Sequence, residues 1–394
     1  MQYDFNAPID RWNNFAVKYD EMEQKYGRRD LIPMWIADMD LKTAQPILDA
    51  IDARNQQGMF GYTSRPESYF QAVCDWQARR NGWRPNPALC VFTLGVVPAL
   101  CTCVREFSNP GDEILFLTPV YGEFFDSVEN WGRRPLTVSL KETDGRYDVD
   151  FDALETALQR RPPLFILCNP HNPVGRVWTP EELRRMGELC VQYGALMVSD
   201  EIHSDLILFG HKHTPLASVS PEIAARTITC TSATKTFNLA GLQAATVTFP
   251  NQELLDKYQT FWKGLDVHRN NCFSLVAVEA AFRHGEEWLE QLIAHLESNV
   301  LYVEEFLKNH IPEITLRRPE CTYLLWLNCK GLGLPGDALP RFMTEQARLA
   351  LNDGRGFGPV DGEGYMRMNI ACPRSTVEKA MERLKAAVDR HMGR

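Results

Sequence analysis

The sequence predicts an α/β protein with a large domain built on a mostly parallel sheet and a smaller α+β domain made from both chain ends. In the middle of the chain, short apolar runs alternate with amphipathic stretches, as in βαβ units. The ends instead carry a long helical pattern and separate strand-like runs. The length of 394 residues suits two or three domains of roughly 150 residues each. We expect residues 46–286 to form the large domain, and residues 1–45 and 287–394 the small one.

Six apolar runs of the middle region predict buried strands. They cover residues 112–118, 135–140, 164–168, 195–199, 227–231 and 244–249. A helix-like segment follows the first strand from about Tyr121. Another helix should begin after Thr179, because a threonine cap precedes Pro180 and Glu182 completes a capping box. This helix should end before Gly194, a residue type that favours helix ends.

The C-terminal third has a different pattern. Apolar residues recur at helical spacing over residues 287–310, which predicts one long helix ending before a proline. Residues 322–327 and 364–370 predict strands. A final helix should begin at Ser375, with Glu378 as the second member of a capping box. We therefore expect the small domain to mix helices and strands.

Composition excludes several classes of protein. Lys and Arg number 42 against 51 Asp and Glu, a net charge of −9, which argues against a generally basic nucleic-acid binder. No run of ~18 apolar residues could span a membrane, and the first residues lack the pattern of a signal peptide. The eleven cysteines form no Cys-x-x-Cys pair and their number is odd. We expect a reduced cytoplasmic chain that packs its cysteines in the core.

Chemically capable residues follow the predicted strands, where open parallel sheets bind their ligands. Lys235 is the single lysine of segment 232–238, directly after a strand. It is either an ordinary surface lysine or an amine whose pKa is lowered so that it can form a Schiff base with a carbonyl. Ser232 and Thr234 present hydroxyls on alternate residues and could bind a phosphate.

Three further strand ends carry candidate residues. Asp200 either caps a turn or pairs with a protonated ring nitrogen, and His203 follows it. Asn172 lies in segment 169–175, which two X-Pro bonds constrain. Gly95 precedes a helical pattern whose first backbone N–H groups could bind a phosphate. Each feature alone is also explained by ordinary turn chemistry.

Other motif readings are weaker. The glycines of 331–336 fit a dinucleotide-binding pattern, but no βαβ unit follows and Pro335 removes a backbone donor. Ser232 and Lys235 fit a penicillin-recognising pattern whose other two motifs the chain lacks. His211 and His213 could ligate a metal, but no Cys or acidic cluster accompanies them, so we expect no metal site.

Taken together, the strand-end segments resemble the aspartate aminotransferase superfamily, class I/II, whose fold-type I enzymes use pyridoxal 5′-phosphate (PLP). The resemblance spans nearly the whole chain and is closest to the cystathionine β-lyase and maltose-regulon-modulator type of C–S β-lyase. It rests on the strings WIADMD (35–40), FGY (60–62), TPVY (118–121), NPHNPVGRVW (169–178), SDEIH (199–203), SATKTFN (232–238) and RMNIACPR (367–374). It implies a mostly parallel seven-stranded sheet flanked by helices, and a homodimer.

The resemblance also implies a role for each matched residue. The cofactor would contact Lys235, Asp200, Asn172, His203, Tyr121, Gly95, Val96, Val97, Ser232, Thr234 and, from the neighbouring subunit, Tyr62. Lys235 would hold PLP covalently and act as the base at the substrate Cα, and Asp200 would pair with the ring nitrogen. Tyr121 would stack on the ring and could protonate the leaving group.

The implied substrate is a small amino acid. Arg367 would bind its α-carboxylate with help from Ala37 and Asn172. The branch implies α,β-elimination from L-cystathionine, cysteine or S-conjugated cysteines, giving a thiol, pyruvate and ammonia, with a link to methionine biosynthesis. An aminotransferase would use the same residues. A regulatory PLP protein that binds a transcription factor is a third possibility, although no segment marks such a surface.

Overall fold

The computed structural model describes residues 1–394, and its strands form one large sheet, one smaller sheet and two short pairs. The strands are β1 Ile32–Pro33, β2 Cys90–Thr93, β3 Glu113–Thr118, β4 Arg134–Ser139, β5 Lys141–Thr143, β6 Arg146–Asp148, β7 Leu164–Cys168, β8 Leu196–Asp200, β9 Thr227–Thr231, β10 Ala245–Thr248, β11 Thr315–Leu316, β12 Leu324–Asn328, β13 Leu349–Ala350, β14 Asn352–Asp353 and β15 Tyr365–Asn369.

The large sheet has seven strands in the order β2-β10-β9-β8-β7-β3-β4. Every neighbouring pair is parallel except those that involve β10, which is antiparallel to both β2 and β9. This sheet confirms the predicted α/β class and the six predicted strands, whose bounds agree within one residue. The seventh strand, β2, is the one that leads into the segment around Gly95.

Helices surround both sheets. They are α1 Val17–Asp20, α2 Met22–Tyr26, α3 Gln45–Gln56, α4 Glu67–Asn81, α5 Val96–Phe107, α6 Glu123–Glu129, α7 Phe151–Leu158, α8 Pro180–Tyr193, α9 Pro221–Ala224, α10 Ala233–Thr236, α11 Gln252–Gly264, α12 Cys272–His284, α13 Glu286–His310, α14 Ala338–Glu345 and α15 Arg374–Met392.

Alternate residues of the central strands pack into different cores. On β3, Ile114 and Phe116 join a core with residues of α5 and α11, whereas Leu115 and Leu117 join a core with residues of α7 and α8. This alternation follows from the two-residue period of a strand. Both faces of the large sheet are therefore covered, and ligands can reach it only at the strand ends.

The smaller sheet is antiparallel and comes from the C-terminal third, with the order β11-β12-β15-β14. The predicted long helix is confirmed as α13, and its buried face packs with residues of α15 and of this sheet into the largest core. The N-terminal strand β1 pairs in parallel with β13, so the two chain ends meet. Trp326 of β12 packs into the same core as Leu115 and Leu117 of the large sheet, so the two sheets are in contact.

One local prediction is wrong. The last helix begins at Arg374 rather than Ser375, and its cap residue is Pro373, which has no side-chain hydrogen bond to offer. Residues 141–148, which are rich in charge, form the hairpin β5-β6. Its charged residues face outward, but Tyr147 is buried, because the hairpin covers the side of Trp326. Because the residues around Tyr147 are charged, the sequence gives no indication that this side chain is buried.

The glycine-rich segment 331–336 forms a 3₁₀ turn and a loop and no βαβ unit, as expected. All eleven cysteines are free thiols, and nine of them are buried. None of the helices is both long enough and apolar enough to cross a membrane.

The capping box of α8 gives a first test. Thr179 Oγ1 accepts a hydrogen bond from the N–H of Glu182, and the carboxylate of Glu182 accepts one from the N–H of Thr179. The variant Thr179→Ala should lower the free energy of unfolding by about 1 kcal/mol, because one helix N–H loses its partner. Urea unfolding followed by circular dichroism measures this change.

Thr260→Ala is the matched control, because the Thr260 hydroxyl is exposed and only donates back to the carbonyl of Asp256 within α11. This variant should change the free energy of unfolding by less than about 0.5 kcal/mol. Equal losses in the two variants would contradict the role of the cap.

Candidate active site

Three neighbouring strands of the large sheet end beside one another and carry the candidate residues. The register aligns Cys168 of β7 with Asp200 of β8, and Asp200 with Cys230 of β9. These strands are parallel, so the segments that follow them leave the sheet at the same edge. The loop with Asn172, the carboxylate of Asp200 and the helix with Lys235 are thereby brought together.

Lys235 lies in the short helix α10, which Ser232 caps. Its Nζ atom donates a hydrogen bond of 2.6 Å to the carbonyl of Ala37. Burial lowers the pKa of Lys235 to about 8, and the positive charge of Arg367 acts in the same direction, whereas Asp38 and Asp200 oppose it. A lysine in this environment has a much larger neutral fraction at neutral pH than a surface lysine, which suits a nucleophile or a base.

Asp200 is buried at the end of β8 and accepts a hydrogen bond of 3.1 Å from the N–H of Ile202. Burial raises the pKa of Asp200 to about 7, while this hydrogen bond and the charge of Lys235 lower it. No Lys, Arg or His forms an ion pair with this carboxylate. A cationic group placed beside Asp200 would therefore be favourable.

Arg367 is a buried guanidinium on β15 that pairs with no carboxylate. It donates to neutral acceptors only: Nη2 to the carbonyl of Trp35 at 3.2 Å and to Oδ1 of Asn352 at 2.9 Å, and Nη1 to Asn172 at 3.4 Å. Its Nε has no hydrogen-bond partner. Burial lowers the pKa of Arg367 to about 10, so it still carries its charge at neutral pH. The guanidinium lies 4.7 Å from the ring centre of Phe357.

Residues 35–41, called the 35–41 segment below, connect these side chains. Asn369, two residues after Arg367, donates from Nδ2 to the carbonyls of Ile36 and Asp38 at 2.6 Å each. This fixes the segment to the strand that carries Arg367.

The same segment is fixed to the other side of the site by Asn238, three residues after Lys235. Asn238 accepts from the N–H of Met39 at 2.9 Å and donates to the carbonyls of Met39 and Leu41. Its backbone has a φ of +58°, a conformation that Asn tolerates better than most residues. Lys235 and Arg367 are thus held at a fixed separation by one stretch of backbone.

His203 and Tyr121 complete the inner surface. Burial lowers the pKa of His203 to about 3, with further lowering by Lys235 and Arg367, so its ring is neutral; its Nδ1 has no hydrogen-bond partner. Burial raises the pKa of Tyr121 to about 12, so its phenol is protonated at neutral pH. Tyr121, Phe357 and Arg367 line an open cleft of about 1420 Å³, through which a small molecule can reach Arg367.

A second group of predicted residues lies at the same edge of the sheet, directly after β9 and after β2. Ser232 Oγ donates to the carbonyl of Ala244 at 2.7 Å and lies 2.7 Å from Thr234 Oγ1. Gly95 caps α5, whose first turn contains no acidic side chain and no side-chain cap. β10 pairs with β2 on one side and β9 on the other, so Val96, Val97 and the Ser232 turn lie near the same edge. Free helix N–H groups beside hydroxyls suit an anion.

Tyr62 is the one predicted site residue that the structure leaves apart. It is 98 % exposed, on a loop without regular secondary structure, and the guanidinium of Arg269 lies 5.6 Å from its ring. Met59 and Phe60, close to Tyr62 in the sequence, are further large apolar residues that are exposed.

Sequence reasoning missed several residues that shape the site. Tyr323 donates from its hydroxyl to the carbonyl of Ala37 at 2.9 Å, next to the contact from Lys235. Asn369 and Asn238 fall inside recognised strings, but no role was predicted for them. The local sequence holds no signal for Tyr323, because its partner lies 286 positions away.

The fold and the site define an α/β protein in which a buried lysine of lowered pKa, at the carboxyl ends of a mostly parallel sheet, lies near a buried arginine without a carboxylate partner. The chain belongs to the aminotransferase class I and II family, which matches residues 30–384. This membership confirms the resemblance seen in the sequence.

Several relatives align with almost the whole chain. Cystathionine beta-lyase PatB of Bacillus subtilis is 41 % identical over 98 % of this chain and 99 % of its own length. Protein MalY of Escherichia coli is 31 % identical over 98 % and 99 %. Among solved structures, cystalysin of Treponema denticola, which contains pyridoxal 5′-phosphate, is 32 % identical with a TM-score of 0.96 and covers 99 % of this chain and 100 % of its own. The PLP-bound C-S lyase of Staphylococcus hominis is 31 % identical with a TM-score of 0.93, covering 98 % of both.

Proposed function

We propose that this protein is a PLP-dependent C–S β-lyase, which performs α,β-elimination on L-cystathionine, cysteine or S-conjugated cysteines and yields a thiol, pyruvate and ammonia. The proposal rests on one observation: the site holds both a buried lysine and a buried arginine, and the arginine has no carboxylate partner. This pair offers an amine for a carbonyl compound and a cation for an amino-acid carboxylate. Relatives named as cystathionine or C-S lyases support the reaction type.

The residues at the strand ends fit the chemical groups of PLP. The amine of Lys235 would bind its aldehyde carbon covalently. The carboxylate of Asp200, whose pKa burial raises to about 7, would be stabilised in its charged form by a protonated ring nitrogen. Asn172 would donate to the phenolic oxygen, and the neutral ring of His203, with its unpartnered Nδ1, would lie near the cofactor. Tyr121 would stack on the ring.

The phosphate of PLP fits the neighbouring group. It would accept hydrogen bonds from the backbone N–H groups of Gly95, Val96 and Val97 and from the hydroxyls of Ser232 and Thr234. The absence of acidic side chains from the first turn of α5 favours an anion there.

The substrate would be oriented by its α-carboxylate. Arg367 offers a planar fork and an unpartnered Nε, and its present partners are neutral. A carboxylate forms stronger, charge-assisted hydrogen bonds than those oxygens, so it can take their place. The backbone at Ala37 and the side chain of Asn172 would contact the same end of the substrate.

PLP, when bound, supplies an electron sink that makes the Cα proton of an amino acid acidic. Lys235 Nζ takes that proton, for which its neutral form is needed. The Cβ–S bond then breaks, and the sulfur leaves with a proton from Tyr121, which stays protonated because its pKa is raised to about 12, or from Lys235, which has just gained one. The released three-carbon product hydrolyses to pyruvate and ammonia.

An aminotransferase is the alternative of the same family, because its reaction also uses Lys235, Asp200, Asn172 and Arg367. The named lyases among the relatives favour elimination. No residue of this chain supports the alternative of a regulatory protein.

We also propose a homodimer with shared sites, in which Tyr62 reaches the cofactor phosphate of the neighbouring subunit. Its exposure in the single chain, together with that of Met59 and Phe60, supports a protein partner on this surface. Two domains with the bounds 1–45 with 287–394, and 46–286, remain our proposal. The eleven free thiols suit a reducing compartment, and we propose the cytoplasm.

The reaction can be tested directly. The purified protein should be yellow, with an absorbance near ~420 nm, and should release thiol and pyruvate in equal amounts from L-cystathionine. Lys235→Ala should remove the colour and lower the rate more than about 10³-fold, because the nucleophile and the base are lost together. Lys212→Ala, which changes an exposed loop lysine, is the control and should keep both. Conversion of 2-oxoglutarate to glutamate without pyruvate would instead establish the aminotransferase.

The role of Tyr121 as proton donor predicts a dependence on the leaving group. Tyr121→Phe should lower kcat/KM for S-methyl-L-cysteine by about 10²-fold, because the alkyl thiolate needs a proton to leave. With β-chloro-L-alanine the loss should stay within a few-fold, since chloride leaves without one. Equal losses with both substrates would show that Tyr121 only positions the cofactor or the substrate.

The shared site predicts complementation between defective subunits. Tyr62→Phe should weaken PLP binding about tenfold, because a hydrogen bond to a charged phosphate is lost. When Tyr62→Phe and Lys235→Ala chains are unfolded and refolded together, mixed dimers should regain one site of normal PLP affinity, as Lys235 comes from one chain and Tyr62 from the other. Each variant refolded alone is the control. No regain in the mixture would place Tyr62 in the site of its own chain or outside it.

A further inference from the structure

Four charged side chains, two of them from the 35–41 segment, form a cluster that has no role in the proposed reaction. Arg11 donates to both carboxylate oxygens of Asp38, at 3.0 and 2.7 Å, and to Asp40 at 2.7 Å. Lys18 donates to Asp40 at 2.8 Å and lies 3.6 Å from Asp38. The side chain of Lys18 is 1 % exposed and that of Asp40 6 %. Two cations and two anions thus form a compact, nearly buried and neutral group.

This cluster is attached to the surroundings of the reactive lysine. Asp38 directly follows Ala37, whose carbonyl accepts the hydrogen bond from Lys235 Nζ. The indole N–H of Trp35 donates to the carbonyl of Lys18, so the N-terminal residues hold both ends of this stretch. The charge of Asp38 reaches Lys235, since it raises the pKa of that amine against the effect of burial.

The other groups around the amine of Lys235 differ in charge and therefore in their effect on its ammonium form. Arg367 disfavours the ammonium form, and Asp200 favours it from the end of β8. His203 faces the amine as a neutral ring, because burial lowers its pKa to about 3. Tyr323 shares the Ala37 carbonyl and is protonated, because burial raises its pKa. Asp38 is therefore one of two anions that favour the ammonium form of Lys235. Unlike Asp200, Asp38 already forms an ion pair, with Arg11.

We propose that Asp38 and Arg11 are positioning residues for Lys235: Asp38 favours the charged form of the amine, and Arg11 limits this effect by pairing with Asp38 in a fixed orientation. Lys18 and Asp40 keep the cluster in place. The inference rests on the proposed role of Lys235 as the amine that binds PLP, but it concerns the titration of that amine in the chain itself.

Removing the charge of Asp38 and removing the charge of Arg11 should shift the titration midpoint of Lys235 in opposite directions. Asp38→Asn removes an anion near Lys235 while keeping an acceptor for Arg11, so the pH at which half of the amine is neutral should fall by about 1 unit. Arg11→Gln leaves the Asp38 carboxylate without its main cation, so the same midpoint should rise by a similar amount. The loss of a purely structural contact would not move the two variants in opposite directions.

The midpoint can be measured without the cofactor. The full-length, cofactor-free protein is labelled with trace acetic anhydride between pH 6 and 11, and acetylation of Lys235 is quantified by peptide mass spectrometry, since only the neutral amine reacts. Circular dichroism checks that each variant is folded. Arg11→Lys, which keeps the charge, should restore the original midpoint. Arg318→Gln, which breaks an exposed pair with Glu304, is the matched control and should not change it.

Shifts of the same sign, or no shift in Asp38→Asn, would overturn the proposal; if Arg11→Gln does not fold, the result for Asp38→Asn decides alone. The rate of PLP uptake, measured on the same samples, should follow the same midpoints. If the unaltered protein took up no PLP while the acetylation midpoints still moved apart, the proposed function would fail and the inference about Lys235 would stand.

Discussion

The burial of two cations side by side is the constraint on which the site depends. The charge of Arg367 disfavours the ammonium form of Lys235, and burial lowers the pKa of both groups. Removing an unpaired charge from water costs several kcal/mol, and a carboxylate partner would be the ordinary remedy. The chain instead surrounds Arg367 with neutral oxygens. This leaves a strong cation whose best partner is an anion from outside the protein.

The 35–41 segment stabilises the two buried cations. Its carbonyl dipoles face Arg367 at Trp35 and Lys235 at Ala37, and both asparagines that follow these cations, Asn369 and Asn238, hold the segment in place. Backbone carbonyls can solvate a cation without adding a charge that would occupy it permanently. The segment in turn depends on the large sheet and the small sheet being fixed relative to each other, since one asparagine comes from each side.

The sequence predicted what local patterns determine. Asp200 and Lys235 could be located because each directly follows a recognisable buried strand, and parallel strands end at one edge. Lys18 and Tyr323 could not, because their partners lie 22 and 286 positions away and nothing in their neighbourhood departs from ordinary packing. The predicted cap at Ser375 is wrong although its motif is present, because the helix already begins at Arg374 and Ser375 lies inside its first turn.

In the proposed reaction, the same constraint links substrate binding to the reactivity of Lys235. Arg367 disfavours the ammonium form of Lys235, whereas a lysine that acts as the proposed base at Cα must accept a proton and become ammonium. A substrate carboxylate bound to Arg367 would neutralise most of that charge, and the pKa of Lys235 would rise just when a proton is to be taken. Before binding, the lower pKa keeps the amine neutral enough to react with a carbonyl. An arginine with a carboxylate partner of its own could not make this change, which explains why the chain tolerates the cost of leaving Arg367 without one.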